Sequence, residues 1–177
     1  MSWSRRNLLA GAASAAVAFA LAGCGFAPVY GPNGSARGLQ GSIALDPPHD
    51  AEGFALVGQL ENRLGPANGA AFRLGADIGV TEQGLGITTD QEVTRFRLLG
   101  TVDWQLRRRA DDAVVASGRE QAFASYSAPI FDATTGSTAG TTVSVIAAAR
   151  DARDRLMVML ADRIVARLLL TAPDWRR

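Results

Sequence analysis

The feature that most constrains the fold is a long alternation of apolar and polar residues between Glu92 and Arg109, in the sequence EVTRFRLLGTVDWQLRRR. Successive side chains of a strand point to opposite faces, so this pattern predicts a long, half-buried β-strand. One side carries Phe96, Leu98, Gly100, Val102, Trp104 and Leu106, and the other carries Arg95, Arg97, Thr101, Asp103, Gln105 and Arg107. The polar segment 110–113 predicts a turn, after which residues 114–127 return as the antiparallel partner.

Two further strands are predicted before this hairpin. Residues 71–82 place Phe72, Leu74, Ala76, Ile78 and Val80 on one face, as a half-buried strand does. Residues 39–46 form a candidate first strand, which ends at Pro47 and Pro48. Because a helix is expected to follow it, this strand could pair in parallel with another, and the sheet would then be mixed.

Two helices are predicted from apolar residues spaced three and four apart. Residues 50–64 repeat Phe54, Val57, Leu60 and Leu64 and stop at Gly65-Pro66. Residues 143–170 form a longer amphipathic helix, which Pro173 closes. Its first stripe, expected to pack on the sheet, is Val145, Ala149, Ala152, Leu156, Leu160, Ile164 and Leu168. Its second stripe, expected to lie under the shorter helix or a partner, is Met157, Ala161, Val165 and Leu169.

The order of elements is therefore strand, helix, three strands, helix. The most economical way to bury these apolar faces is to pack both helices on one face of the sheet. The predicted fold class is α+β, a two-layer sandwich of two helices on a four-stranded mixed or antiparallel sheet.

The N-terminus has the three parts of a signal peptide. Arg5 and Arg6 precede an uncharged run from Leu8 to Ala22, and small residues follow before Cys24. The run is shorter than the ~20 apolar residues that a spanning helix needs. The segment SRRNLLA also resembles the twin-arginine export motif, and an ordinary basic start explains it equally well.

Cys24 is the only cysteine, so it cannot close an intramolecular disulfide. It could be an inert core residue, a reactive thiol or an attachment point. Leu21-Ala22-Gly23-Cys24 resembles the lipobox of bacterial lipoproteins, which implies cleavage between Gly23 and Cys24 and a covalent N-acyl and S-diacylglycerol lipid on Cys24. The alternative is an ordinary secretory signal with an incidental cysteine. Several acyl chains would hold the protein on a membrane, since each buried CH₂ adds ~0.8 kcal/mol.

The chain divides into a cleaved signal peptide (1–23), a lipidated tether (24–41), an α+β domain (42–172) and a C-terminal tail (173–177). Removing residues 1–23 leaves 154 residues, enough for one domain, with 16 arginines against 17 acidic residues. This balance argues against a nucleic-acid binder.

No catalytic constellation is found, and the prediction is that the protein is not an enzyme. His49 is the only histidine and has no metal-site spacing, so a solvated loop residue is the simpler interpretation. Asp111 and Asp112 are more simply a hairpin turn than an acid–base pair. No metal or further cofactor is therefore expected.

Two features favour binding instead. Arg107, Arg108 and Arg109 end the strongest strand and, with Arg95 and Arg97, could form a face for anionic groups. A solvated strand face is the competing interpretation. The segment 127–142 is a long loop rich in small hydroxyl residues, which is typical of a functional loop or of plain flexibility.

The segment GCGFAPVYG after the lipobox resembles the start of LptE, the lipopolysaccharide-assembly outer-membrane lipoprotein, in its alphaproteobacterial style. The similarity continues through TRFRLLGTVDWQLRR, the returning strand to Tyr126 and LADRIVARL in the last helix. It implies a domain of two helices and four strands that plugs the LptD β-barrel, assists its assembly and takes part in lipopolysaccharide transport, anchored at the periplasmic face of the outer membrane. The residue after Cys24 is Gly25 and not the Asp that retains some lipoproteins in the inner membrane, which favours the outer membrane.

The sequence departs from this family in one respect. The resemblance implies basic loop residues that bind lipopolysaccharide, yet the predicted loops 83–91 and 127–142 contain no arginine. If lipopolysaccharide binds, Arg107, Arg108 and Arg109 are the expected substitutes. The alternative classes are an auxiliary lipoprotein of a lipid-transport ABC system and a cofactor protein exported by the twin-arginine route.

Overall fold

The computed structural model describes residues 31, 34, 38–87, 93–128 and 142–176. The described elements are, in chain order, β1 (Ile43–Leu45), α1 (Ala51–Leu64), β2 (Phe72–Ile87), β3 (Val93–Arg108), β4 (Val114–Ser127) and α2 (Thr142–Trp175). The signal peptide, Cys24, most of the tether and residues 129–141 of the predicted loop lie outside the described residues.

The four strands form one mixed sheet in the order β1-β2-β3-β4. β1 pairs in parallel with β2, and the β2–β3 and β3–β4 pairs are antiparallel. Both helices pack together and α2 lies on the sheet, so the predicted α+β two-layer fold is confirmed. The predicted return strand 114–127 is also confirmed at both ends.

Two strands differ from the predictions by more than one residue at an end. β1 has three residues where residues 39–46 were expected, because Leu39 to Gly41 form a turn in which Gly41 adopts a φ of 71°. β2 continues to Ile87, past the expected end at residue 82. Residues 83–87 of the predicted loop 83–91 therefore belong to a strand, which pairs with β3 across irregularities at Gly84 and Gly86.

Helix α1 begins where Asp50 caps it, since the Asp50 Oδ1 accepts a 2.7 Å hydrogen bond from the Gly53 N–H. The predicted apolar repeat matches the buried face only in part, because Leu60 and Leu64 are buried and Phe54 is not. Phe54 is 65% exposed, and the buried residues are Gly53, Leu56, Leu60 and Leu64. A Cβ on Gly53 would lie only 3.2 Å from the Cβ of Pro48. Close packing of the helix start on the loop therefore turns Gly53 inward and Phe54 outward.

Helix α2 supplies more of the buried core residues than any other element. Residues of its first stripe from Ala152 to Leu168 are fully buried, and Leu156 and Leu160 pack over Gly100 of β3. The expectation that this stripe covers the sheet is confirmed. Within the described part of the chain, no helix has the length and apolar character to cross a membrane.

The predicted stop at Pro173 is wrong, because α2 continues to Trp175. Pro173 has no N–H to donate to the carbonyl of Leu169, so the last turn lacks one helical hydrogen bond. Trp175 is 4% exposed and meets the Phe72 ring edge-on, with the centroids 5.0 Å apart. This contact with the sheet holds the last turn in place.

Candidate functional site: the uncovered face of the sheet

One face of the sheet carries no helix. Strand alternation and the observed register bring polar and charged side chains of β2, β3 and β4 together there. We call this surface the open face, and it includes Arg73, Asp77, Thr81, Arg95, Arg97, Leu99, Thr101, Asp103, Gln105, Arg107, Arg119 and Phe123.

The three arginines that sequence analysis singled out are engaged by neighbours. The Arg107 Nη1 lies 3.3 Å from the Asp112 Oδ2, and the Arg108 Nη1 lies 3.1 Å from the Asp111 Oδ2. Arg109 donates to the Ala70 carbonyl at 3.1 Å. Because successive strand residues alternate, Arg107 and Arg108 leave the strand on opposite faces. The three do not form a single cationic surface.

Asp111 and Asp112 form the predicted hairpin turn, in which Asp112 has a φ of 54°. Aspartate tolerates this left-handed conformation better than most residues do. Their carboxylates neutralise the arginines at the end of β3, so the turn has a structural role. The interpretation of these residues as a hairpin turn is confirmed.

The other half of the open face has a different character. Arg97 lies over the Phe123 ring, with Cζ 5.3 Å from the centroid, and Phe123 is 60% exposed. Leu99 is 37% exposed beside them. Neither Arg95 nor Arg97 forms an ion pair with any described residue. Arg97 and Arg107 are ten positions apart, roughly 30 Å along a strand, so the expected single face of five arginines is split in two.

Asp103 and Arg119 form a two-pronged pair across β3 and β4. The Arg119 Nε donates to the Asp103 Oδ1 at 2.6 Å, and Nη2 donates to Oδ2 at 2.8 Å. These hydrogen bonds lower the pKa of the Asp103 carboxyl and raise the pKa of Arg119. The pair is solvent-exposed, so it orders the face more than it stabilises the fold.

A second polar network closes the helical side of the sheet. The Tyr126 hydroxyl donates to the Glu82 Oε1 at 2.7 Å, and the Arg153 Nη2 lies 3.3 Å from the Glu82 Oε2. The Arg153 Nε is 3.5 Å from the Glu52 Oε1 on α1. Sequence analysis missed this network because its four residues come from four different elements.

His49 is exposed, as expected, in the loop between β1 and α1. It borders a cavity of about 460 Å³ beside the start of α1 and the edge of β2, whose lining also includes Asp46, Asp77 and Gln105. Among the described residues, no three His, Cys, Asp or Glu side chains are placed to hold a metal ion.

The fold and the open face define the class of protein: a two-layer α+β domain with an extended polar surface suited to binding. The family model LptE, described as lipopolysaccharide-assembly, matches residues 41–168. The chain belongs to the LptE family, and it is a lipopolysaccharide-assembly lipoprotein associated with a membrane. The resemblance noted in the sequence is thereby confirmed.

Solved structures show the same fold. A candidate lipoprotein from Caulobacter crescentus CB15 superposes with a TM-score of 0.62 at 24% identity, and the match covers 81% of this chain and 98% of that one. A minor lipoprotein from Acinetobacter baumannii gives a TM-score of 0.50 at 15% identity, over 73% of this chain and 89% of that one. No curated protein sequence matches the chain.

Proposed function

We propose that the protein occupies the lumen of an LptD-type outer-membrane β-barrel, assists its assembly and takes part in lipopolysaccharide transport. The observation that carries the proposal is the family match over residues 41–168. The proposed role needs binding rather than catalysis, and LptE proteins act in assembly without an enzymatic reaction.

The surface of the domain supports this role. A plug must present side chains that suit a polar lumen, and the open face carries charged side chains, some of which form ion pairs as Asp103 and Arg119 do. Its exposed apolar side chains, Leu99 and Phe123, lie toward one end. The proposed mature chain has nearly equal numbers of basic and acidic residues, so its net charge would not repel or attract the barrel wall strongly.

Cys24 would supply the anchor. We propose that it carries an N-acyl and an S-diacylglycerol lipid after cleavage at Gly23, which would hold the domain at the periplasmic face of the outer membrane. Multiple acyl chains give lasting attachment, whereas one gives only marginal binding. Intact-mass measurement of the membrane-extracted protein tests this proposal directly, with Cys24→Ser as the matched control.

The partner is tested by an affinity pull-down of the tagged, lipidated protein from detergent-solubilised outer membranes, followed by mass spectrometry. Recovery of a large β-barrel protein in near-equal amount is the expected result. Recovery of a permease with an ATPase would place the chain in a lipid-transport ABC system instead. Recovery of no partner would overturn the plug proposal.

Direct lipopolysaccharide binding is a separate proposal, assigned to Arg107, Arg108 and Arg109. Because Arg107 and Arg108 already hold carboxylates at 3.3 and 3.1 Å, a lipid phosphate would have to displace Asp112 and Asp111. The test compares the triple Arg→Ala variant with Arg95→Ala/Arg97→Ala for lipopolysaccharide binding, with folding monitored by circular dichroism. Loss of binding only in the triple variant would support the assignment, and unchanged binding there would overturn it.

A further inference from the structure

The edge of β2 is open along most of its length. β1 pairs only with Phe72 to Leu74, whereas β2 runs on to Ile87. After Leu45 the chain leaves the sheet through Pro47 and Pro48 to begin α1. Among the described residues, no strand pairs with this edge beyond Leu74.

The backbone groups that face this edge follow from the β1 pairing. The Phe72 N–H donates to the Ser42 carbonyl at 3.1 Å, and the Leu74 carbonyl accepts from the Asp46 N–H at 3.0 Å. Every second residue of a strand directs its backbone groups to the same side. Ala76, Ile78, Val80 and Glu82 therefore present their N–H and C=O groups to the open edge, and no described residue bonds to them there.

The opposite edge of the sheet is protected. Arg155 of α2 donates to the Ser125 carbonyl of β4 at 3.4 Å, and Arg163 donates to the Gln121 carbonyl. Side chains of α2 thus occupy backbone groups that another strand would use. An unpaired strand edge is a template for pairing, and proteins usually blunt it with Pro, Lys or a covering element. From Gly75 to Ile87 the edge of β2 has neither Pro nor a basic residue.

The negative charge beside this edge indicates which kind of segment would bind there. Asp77 lies directly opposite Asp103 in the register, and Arg119 is bonded to Asp103 only. Asp77 has no cationic partner among the described residues. Like charges directly opposite one another destabilise a sheet. A cation beside Asp77 would therefore reduce the repulsion between Asp77 and Asp103. The only charged residues of β2 between Ala76 and Gly84 are Asp77 and Glu82, both acidic. A second copy of β2 would therefore bring no cation to Asp77.

We propose that the open edge of β2 from Ala76 to Gly84 binds an extended segment of the partner barrel protein by strand addition, with an Arg or Lys of that segment beside Asp77. The identity of this partner rests on the proposed function. Main-chain hydrogen bonds supply the affinity in such complexes, and side chains such as Asp77 supply the specificity.

The first test is hydrogen exchange on the full-length lipidated protein, alone and in the complex recovered from outer membranes. Amides of Ala76, Ile78, Val80 and Glu82 should exchange rapidly in the free protein and at least tenfold more slowly in the complex. Protection already present in the free protein at low concentration would mean that a segment of this chain covers the edge. Protection that grows with concentration would mean self-pairing, and either result would overturn the proposal.

The second test uses proline, which removes the N–H needed for pairing and is tolerated on strand edges. Ala76→Pro should reduce the recovered barrel at least tenfold, whereas Ser125→Pro, on the opposite edge, should recover it as the wild type does. Asp77→Arg should also reduce recovery, with Glu61→Arg on the exposed side of α1 as the charge control. Circular dichroism and thermal melting confirm that each variant folds.

The two proposals fail in different ways. If the wild-type protein brings down a barrel but the β2 amides stay unprotected and Ala76→Pro recovers it normally, strand addition is wrong and the plug proposal stands. If the wild-type protein brings down no barrel, both the plug proposal and the assigned occupant of the edge are wrong.

Discussion

Tyr126 donates a 2.7 Å hydrogen bond to Glu82 although their strands, β4 and β2, are separated by β3. The Tyr126 ring stacks on Phe96 of β3, with the ring centroids 5.2 Å apart, and its hydroxyl reaches over that strand. Arg153 of α2 forms an ion pair with the other oxygen of the Glu82 carboxylate, at 3.3 Å. These contacts therefore connect β2 and β4 to the long helix at one end of the sheet.

Burial and the hydrogen bond to Glu82 raise the pKa of Tyr126 to about 12, so the folded state favours the neutral phenol. This stabilisation is complete below the ordinary tyrosine pKa of about 10 and is lost as the pH rises through about 12. The only other tyrosine is Tyr30. Absorbance at the tyrosinate band in a Tyr30→Phe background should therefore titrate near pH 12. Titration near pH 10 in folded protein would contradict the prediction.

The second prediction concerns Gly118, which lies against the indole of Trp104. A Cβ at this position would sit 2.8 Å from Cζ2 and 2.9 Å from Cε2 of a ring that is 1% exposed. A buried indole cannot move aside as a flexible side chain can. Gly118→Ala should therefore lower the free energy of unfolding by about 1–3 kcal/mol, measured by denaturant titration.

Gly58 provides the matched control, since a Cβ there would meet nothing within 4 Å. It lies in the middle of α1, where alanine is favoured over glycine by about 0.5–1 kcal/mol. Gly58→Ala should therefore raise the free energy of unfolding. Equal effects of the two substitutions would show that the packing of Gly118 against Trp104 does not matter.

The alternating strands could be predicted from the sequence because each has one buried and one exposed face. The β3 pattern from Phe96 to Leu106 identified its buried side correctly, and the return strand was found with its ends. Helix α1 was placed correctly, but only the second half of its inward face was identified, since Leu60 and Leu64 are buried and Phe54 is exposed. Two phases of the helix fit the apolar residues, and only contact with Pro48 places Gly53 inward and Phe54 outward.

The candidate site was harder to predict, because it depends on which side chains meet. Sequence analysis grouped five arginines by residue type. In the structure Arg107 and Arg108 bind the turn carboxylates, whereas Arg95 and Arg97 form no ion pair with any described residue. Which side chains meet across neighbouring strands depends on the strand register, and the register cannot be read directly from the sequence. The open edge of β2 was missed for the same reason, although Pro47 and Pro48 did mark the end of β1.

The third prediction concerns the acid dependence of the open face. Hydrogen bonds from Arg119 lower the pKa of the Asp103 carboxyl. The folded pKa lies below the unfolded one, so the stabilisation is present above the ordinary aspartate value of about 3.9 and is lost as the pH falls through the folded pKa. Carboxyl NMR titration should show the Asp103 pKa returning upward in Arg119→Gln, and an unchanged pKa would contradict the assigned cause.

The last prediction tests the final turn of α2. Trp175 is buried, its ring edge meets Phe72 at 5.0 Å, and its Nε1 donates to the Thr171 Oγ1 at 3.2 Å. Trp175→Ala removes an aromatic contact and leaves a cavity between the helix end and the sheet, so it should cost about 3 kcal/mol of unfolding free energy. Leu170 is 77% exposed in the same helix, and Leu170→Ala should change stability by less than about 0.5 kcal/mol. If Trp175→Ala proved as mild as Leu170→Ala in thermal and denaturant melts, the segment after Pro173 would contribute nothing to the core.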